Sequence, residues 1–446
     1  MRSRIETVYF LTFLLLISVF SGIYAPDNQI EELEESKIRI DSISRSSNLI
    51  DIPDWKVNDR WNYNGYLDMV DFIVDSGVNT DLETLTGTLE STVTDIYLTT
   101  VDNNPTLVYK VESDGYYEAN SINLDGQPGD LEVTMSTVST VRVSDLATVS
   151  QNAVIDINFC RDFLWWCVDV SVGTLEVDQS YSPPLEGYDF PLSVGESWSQ
   201  NYTATTNYDG QSDYVDIPDD SVSQRSANYE VVSQGFSGVN YGGCGTSYNI
   251  SSTNADGDET GYKWFCPSIR GDVKMETIES LGFTAVHSLS SYQATSRQKT
   301  INIDLEYPLS PINMDISAWI NVTNNNGNPV GNQEMEFRYE VGGDIQSIVT
   351  SANGTAHVIL NTGNLADDSY SGNDLGSHGI LAWTNTESTK IIGVSTVTID
   401  PDVFEIDLYV NPNGVSVERI RENSTITLDV NIGFTGIRGD RFVASI

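Results

Sequence analysis

The residues that could perform catalysis are few and widely separated. The three histidines, His287, His357 and His378, lie in different segments, and no pattern of a zinc protease, a phosphate-binding loop or a dinucleotide-binding turn occurs. The nearest approach to a serine nucleophile motif, Gly235–Val239, lacks the strand–turn–helix pattern that this chemistry requires. We therefore predict that the protein is not an enzyme, that it has no catalytic residue and that it has no organic cofactor.

Two oxygen-rich stretches are candidates for metal chemistry. Asn254, Asp256 and Asp258 alternate along one turn, as oxygen ligands do in calcium loops, and a second stretch spans 367–374. The first stretch departs from a calcium loop because its glycine is not the sixth residue and no glutamate follows at the twelfth. Turn propensity explains both stretches as well, so calcium binding and a plain turn both stay open.

The four cysteines can form disulfides or bind a metal. Cys160 and Cys167 are close in sequence, as are Cys244 and Cys266, so sequential pairing needs only a hairpin or two neighbouring strands. Neither pair has the short spacing of zinc ligands, and no histidine adjoins them. We predict the disulfides Cys160–Cys167 and Cys244–Cys266, which are typical of secreted proteins.

The segment enclosed by the first cysteine pair is unusually apolar. It contains four consecutive apolar residues, Phe163, Leu164, Trp165 and Trp166. If this turn protrudes, these side chains cannot all face inward, and they form an exposed binding tip. The alternative is that the aromatic rings fold back onto a sheet or fill a joint between modules, because large aromatics are usually buried.

Charge excludes several classes of partner. The chain has 22 basic and 64 acidic residues, a net charge of −42 and an isoelectric point near 4.1. Such a chain repels nucleic acids and anionic membranes, and it contains no basic patch that could offset the repulsion. The excess of carboxylates over lysines is typical of halophilic proteins, because salt screens the repulsion. We expect an extracellular protein, a glycan or an apolar ligand as the partner.

The amino terminus indicates export. Arg2 and Arg4 precede an uncharged, largely apolar run that ends at Ala25, the order of regions in a secretory signal peptide. Residues 1–25 are therefore a signal peptide or, if uncleaved, a signal anchor, which would be the only membrane contact. Residues 26–50 form a polar spacer, and the rest is secreted or displayed at the cell surface. Five sequons permit glycosylation, at Asn201, Asn249, Asn321, Asn353 and Asn423.

The pattern after Trp55 predicts an all-β protein. Short runs rich in Val, Thr, Tyr and Ile alternate apolar and polar residues between Asp-Gly, Asn-Gly and Gly-Gly turns, which is typical of antiparallel sheets. A near-repeat places Trp61 and Trp198 after similar turns, 137 positions apart. We infer two related modules, β module A at 51–180 and β module B at 181–300.

Two parts of the β region resemble known families. Phe190–Trp198 and Tyr262–Lys274 resemble segments of the curved β-sheet domains of secreted prokaryotic proteins related to lipoprotein-carrier folds. This resemblance implies half-barrels with an apolar concave face and supplies no catalytic residues. Module A departs from the pattern, since Asn58 replaces the turn glycine and the closing segment is missing.

The carboxy-terminal part is similar to bacterial immunoglobulin-like repeats of surface proteins. The similar segments are Met314–Thr323, Asn324–Tyr339 and Thr350–Leu360. The resemblance implies an immunoglobulin-like β-sandwich at 301–402 and a partial second one at 403–446.

These observations favour a secreted or cell-surface, non-enzymatic protein for adhesion, envelope structure or binding of an extracellular partner. The first alternative is a carrier that holds a lipid or another apolar ligand in the half-barrel modules. The second is an extracellular hydrolase, because a β scaffold can hold an active site that motif searches miss.

Overall fold

The computed structural model describes residues 50–76, 79–163, 166–211, 217, 219–278, 284–310, 315–340, 345–361, 376–384, 390–399, 405–410 and 428–433. The predicted signal segment, Leu164, Trp165, the stretch 367–374 and Asn423 lie outside these residues. Within them, no helix is long and apolar enough to cross a membrane. The chain divides into two compact units between Arg297 and Gln298.

Over its described residues, the first unit contains twelve antiparallel strands, an α-helix, α1, at Val70–Ser76 between β1 and β2, and a 3₁₀ helix at Pro267–Ile269. The strands are β1 Arg60–Asp68, β2 Thr84–Val101, β3 Asn104–Leu124, β4 Gln127–Arg142, β5 Thr148–Phe163, β6 Trp166–Leu185, β7 Ser197–Gln211, β8 Ser221–Gly235, β9 Ser247–Thr253, β10 Glu259–Cys266, β11 Gly271–Ile278 and β12 Thr284–Gln293. Each strand pairs with the strands before and after it, and β1 pairs with both β2 and β12. The sheet is therefore a closed barrel.

Closure corrects the predicted arrangement of two half-barrel modules. β6 pairs with β7 along Thr174–Ser182, and β1 pairs with β12, so both edges of each run of six strands are hydrogen-bonded. A half-barrel leaves two edges of unpaired backbone groups, whereas closure satisfies them. Trp61 and Trp198, the tryptophans of the near-repeat, stand at the beginnings of β1 and β7.

The alternation of side chains along the strands builds the core inside the barrel. In β4, Leu131, Val133 and Met135 are buried, and the residues between them are exposed. The remaining strands also contribute apolar side chains to the interior. Residues in this interior core include Leu67, Leu85, Val93, Tyr109, Tyr117, Ile155, Leu175, Val177, Tyr202, Val231, Ile250 and Phe265. These interior side chains are thus covered by protein.

The chain enters and leaves the barrel at one end, which we call the entry end. Ile50 bridges Leu192 there, and β12 leads to Arg297 at the same end. Asp54 forms ion pairs with Arg270 at 3.2 Å and with Arg297 at 3.6 Å. These contacts join the amino-terminal segment to the connection after β10 and to the chain after β12. The opposite end, the far end, includes α1 and the turn of the β5–β6 hairpin.

The second unit contains two packed sheets. One sheet has the order β13-β15-β18, and the other has the order β14-β20-β19-β16-β17, in which β14 and β20 run parallel. The strands are β13 Lys299–Leu305, β14 Leu309–Ser310, β15 Asp315–Asn324, β16 Glu334–Tyr339, β17 Gln346–Val349, β18 Thr355–Asn361, β19 Gly376–Trp383 and β20 Ile392–Ile399. Ile316, Phe337 and Trp383 are among its buried residues. A further antiparallel pair follows, β21 Glu405–Val410 and β22 Leu428–Gly433.

Candidate functional site

The β5–β6 hairpin extends past its neighbour at the far end of the barrel. β7 pairs with β6 only as far as Thr174, whereas β5 and β6 stay paired up to Phe163 and Trp166. On the other side, β4 accompanies β5 as far as Arg161. Over the described residues, the outermost part of β6 therefore has β5 as its only strand partner, and the hairpin projects beyond the paired part of β7.

Apolar side chains are exposed on this projecting hairpin. Trp166 is 50% exposed and Val168 is 47% exposed, and they stand two residues apart on one face of β6. Their cross-strand partners are Phe163 and Arg161. The side chain of Phe163, like Leu164 and Trp165, lies outside the described set. The part of the predicted tip that is described thus presents an indole ring to solvent.

Both predicted disulfides are confirmed. Cys160 and Cys167 join the two strands of the projecting hairpin, with their Cα atoms 5.3 Å apart. Strand residues alternate between faces, so neighbouring Trp166 and Cys167 point to opposite sides of the sheet. The disulfide therefore clamps the hairpin without covering the exposed indole. Cys244 and Cys266 are fully buried and join the β8–β9 connection to the end of β10.

In the oxygen-rich turn at 254–258, the side chain of Asn254 forms hydrogen bonds within the turn. The Oδ1 atom of Asn254 accepts hydrogen bonds from the backbone N–H groups of Asp256 and Asp258, both at 2.9 Å. The Nδ2 atom of Asn254 lies 3.3 Å from Oδ2 of Asp258. These side-chain-to-backbone hydrogen bonds are typical of an Asx turn. Calcium binding by Asn254, Asp256 and Asp258 stays a prediction.

Among the described residues, one group of three side chains of metal-binding type comes close together: Cys160, Cys167 and Asp169. The two sulfur atoms are joined in the disulfide, so they are not the thiolates that bind metals. This group therefore supplies only one usable ligand.

The predicted glycosylation sites differ in how their asparagine side chains are engaged. Asn201 is exposed on β7. Asn321 donates to Asp304 at 2.7 Å and accepts from the Thr355 hydroxyl at 2.7 Å. Asn353 lies in an exposed turn and accepts a hydrogen bond from the Thr355 backbone. The Oδ1 atom of Asn249 is buried. Asn201 and Asn353 are thus the exposed asparagines among these four.

A partly buried ionic cluster near the entry end was not anticipated from the sequence. The ammonium of Lys263 on β10 lies 3.3 Å from the ring centroid of Tyr188, in the β6–β7 connection. The Tyr188 hydroxyl donates to Oδ2 of Asp272 on β11 at 2.6 Å. Burial lowers the pKa of Lys263 to about 8, although the Asp272 charge opposes this shift. Burial also raises the pKa of Asp272.

This cluster connects three parts of the barrel that are distant in sequence. It ties the β6–β7 connection to β10 and β11, and the Tyr63 hydroxyl adds β1 by donating to the Asp272 carbonyl at 3.1 Å. Isolated Lys, Tyr and Asp residues in a chain this acidic give no sequence signal. We interpret the cluster as a structural tie.

Two further carboxyl groups in the β6–β7 connection have shifted pKa values. Burial, assisted by the charge of Asp145, raises the pKa of Asp189 to about 6. Burial, assisted by the charge of Asp189, raises the pKa of Glu196 to about 8. Glu196 accepts the backbone N–H of Ser193 at 3.0 Å, which closes the turn before β7.

Comparisons with known proteins give a distant likeness to solved structures. No protein-family model matches the chain. No curated protein matches it either. A solved structure described as "Ca2+-stabilized adhesin helps an Antarctic bacterium reach out and bind ice" matches with a TM-score of 0.17 and 9% identity, over 71% of this chain and 94% of that chain. At that TM-score the likeness supports no argument about this protein.

Proposed function

We propose that this chain is a secreted or cell-surface, non-enzymatic protein that attaches to an extracellular partner through the projecting β5–β6 hairpin. The observation that carries the proposal is the half-exposed pair Trp166 and Val168 on a disulfide-clamped hairpin. Tryptophan is strongly enriched among residues that dominate binding energy at protein interfaces. A clamped hairpin also loses little conformational entropy when it binds.

The low exposure of the named interior side chains favours attachment over the carrier alternative. A carrier needs an internal cavity, and the apolar side chains that line such a cavity are accessible to a solvent-sized sphere when no ligand is present. Here Tyr117, Leu175 and Phe265 are at most 1% exposed, and the other interior apolar residues are similarly covered. The interior surface described is therefore already occupied by protein.

We also propose that residues 301–402 form an immunoglobulin-like domain that serves as a spacer. In immunoglobulin folds the first, second and fifth strands share one sheet, and the third, sixth and seventh share the other. β13, β15 and β18 match the first group, and β16, β19 and β20 match the second. The pair β21–β22 belongs to the predicted partial second domain at 403–446.

The test replaces the exposed indole. Full-length protein is applied to surfaces coated with polystyrene, mucin or chitin, and the retained fraction is compared between the wild type, Trp166→Ser and Leu98→Ser. Leu98 is also exposed but lies on β2, away from the hairpin, so it controls for a general loss of surface apolarity. Both changes should alter unfolding free energy by no more than about 0.5 kcal/mol, as expected at exposed positions.

Loss of retention in Trp166→Ser alone supports the proposal. Equal loss in both variants, or a wild-type protein that is retained on none of the three surfaces, would refute it.

A further inference from the structure

A polar groove lies on the outer face of the barrel, across β4, β5, β6 and β7. It has a volume of about 260 Å³, and its lining includes Val138, Thr140, Asn152, Asp178 and Asn207. This volume lies just below the usual range for sites of drug-sized ligands, roughly 300–1,000 Å³, so the groove suits a short ligand segment.

Strand register arranges the lining side chains in two parallel rows. In the first row, Val138 pairs with Asn152, Asn152 with Asp178, and Asp178 with Asn207. In the second, Thr140 pairs with Ser150 and Ser150 with Ser180. Directly paired residues project from the same face of a sheet, so each row forms a continuous strip.

Irregularities in the strands give this outer face its hollow shape. The register shifts between Thr140 and Val141, and again between Thr148 and Ser150. Bulges of this kind bend a strand locally. Thr140, Ser150 and Asn152 are accordingly half-buried, although they project from the solvent side of the barrel.

The side chains that form the groove are already held in place. The Nδ2 atom of Asn152 donates to Oε1 of Glu176 at 2.8 Å and to Oδ1 of Asp178 at 2.7 Å, which fixes the orientation of its carboxamide. At one side, the Tyr97 hydroxyl lies 3.4 Å from Oγ1 of Thr140 and brings an aromatic ring to the border of the groove. Pre-ordered polar groups reduce the entropy lost when a ligand binds.

The chemistry of the lining selects a class of ligand. The Asn207 carboxamide and the hydroxyls both donate and accept hydrogen bonds, Asn152 offers its Oδ1 atom as an acceptor, and Asp178 adds a pure acceptor. Such a set matches adjacent hydroxyl groups, while Val138 and the Tyr97 ring offer apolar contact to the C–H face of a sugar ring. No basic side chain lines the groove, and a chain of net charge −42 repels anions.

We propose that this groove binds a neutral carbohydrate. The site is separate from the hairpin tip: Asn152 and Phe163 are eleven positions apart on β5, a separation of roughly 35 Å along a strand. The inference goes beyond the proposed attachment through Trp166 and does not depend on it.

The test measures binding of full-length protein to neutral oligosaccharides by isothermal titration calorimetry. The probes are the hexaoses of cellulose, starch, laminarin, xylan and mannan, with polygalacturonate and alginate as anionic comparisons. Ser180→Trp fills the groove, and Asn207→Ala removes one polar contact. Matched controls are Thr134→Trp and Asn120→Ala, which alter exposed outer positions on β4 and β3 beyond the groove.

We expect a dissociation constant of about 1 mM or tighter for at least one neutral probe. Ser180→Trp should abolish this binding, and Asn207→Ala should weaken it by about tenfold, as expected for the loss of one hydrogen bond. Both controls and Trp166→Ser should bind as the wild type does. Retained binding in Ser180→Trp, lost binding in Trp166→Ser, preference for the anionic probes, or no binding to any neutral probe would each overturn the proposal.

Discussion

Individual buried acids in the β6–β7 connection make stability depend on pH. The folded-state pKa values of Asp189, about 6, and Glu196, about 8, lie above their ordinary values because these groups are buried. Between those values and pH ~4, the folded state holds protons that the unfolded state has released. The contribution of these two groups to stability should therefore increase as the pH falls from 8 to about 5.

Glu196→Gln tests this expectation. Glutamine keeps an oxygen that can accept the Ser193 N–H but cannot ionise. The variant should be more stable than the wild type at pH 8, and its melting temperature should rise less on acidification. An unchanged slope of melting temperature against pH would contradict the buried state of this carboxyl group.

His287 produces the opposite dependence at lower pH. It is 1% exposed, shares a 2.7 Å hydrogen bond with the Tyr117 hydroxyl, and has its pKa lowered to about 4 by burial. The imidazole binds a proton near pH ~6.5 in the unfolded state, whereas in the folded state it stays neutral at that pH. The contribution of His287 to stability should thus be lost as the pH falls from ~6.5 to 4. In circular-dichroism melts over that range, the melting temperature of His287→Gln should fall less than that of the wild type.

At the scale of single elements, the two disulfides should differ in their contribution to stability. Cys160–Cys167 closes a loop with a sequence separation of 7, and Cys244–Cys266 one with a separation of 22. A disulfide restricts the unfolded chain, so removing the first pair should lower the free energy of unfolding by about 2–3 kcal/mol. Removing the second pair should lower it by about 1 kcal/mol more. Urea titration of the two paired Cys→Ala variants measures this difference. An equal or larger loss for Cys160 and Cys167 would contradict it.

Elements differed in how far they could be predicted from sequence. Period-two alternation in segments such as Leu131–Met135 predicts strands, and the close spacing of cysteines predicts their pairing. The pairing of Trp61 with Tyr292 across the barrel closure leaves no local signal, because it depends on the register of all the intervening strands. The groove residues Asn152, Asp178 and Asn207 were missed for the same reason, since register alone brings them together.

For the whole molecule, the excess of acidic residues should make stability depend on salt. At low ionic strength the carboxylates repel one another over about 30 Å, whereas at 0.1 M this range shrinks to about 10 Å. The melting temperature should therefore rise as sodium chloride increases from millimolar to seawater-like concentration. Sucrose at matched osmolality, which does not screen charge, controls for general solvent effects. A flat or falling melting temperature in salt would contradict the halophilic interpretation.

The chain enters and leaves the barrel at the same end, and this has a mechanical consequence. β1 and β12 are hydrogen-bonded neighbours, and Ile50 and Arg297 continue from them at that same end. Tension applied through these two positions acts on the β1–β12 hydrogen bonds one after another, starting at the entry end. The bonds therefore break in sequence and do not bear the force all at once. The ion pairs of Asp54 with Arg270 and Arg297 take the load first. A stretched chain would therefore open the barrel from this seam while the far hairpin stays intact.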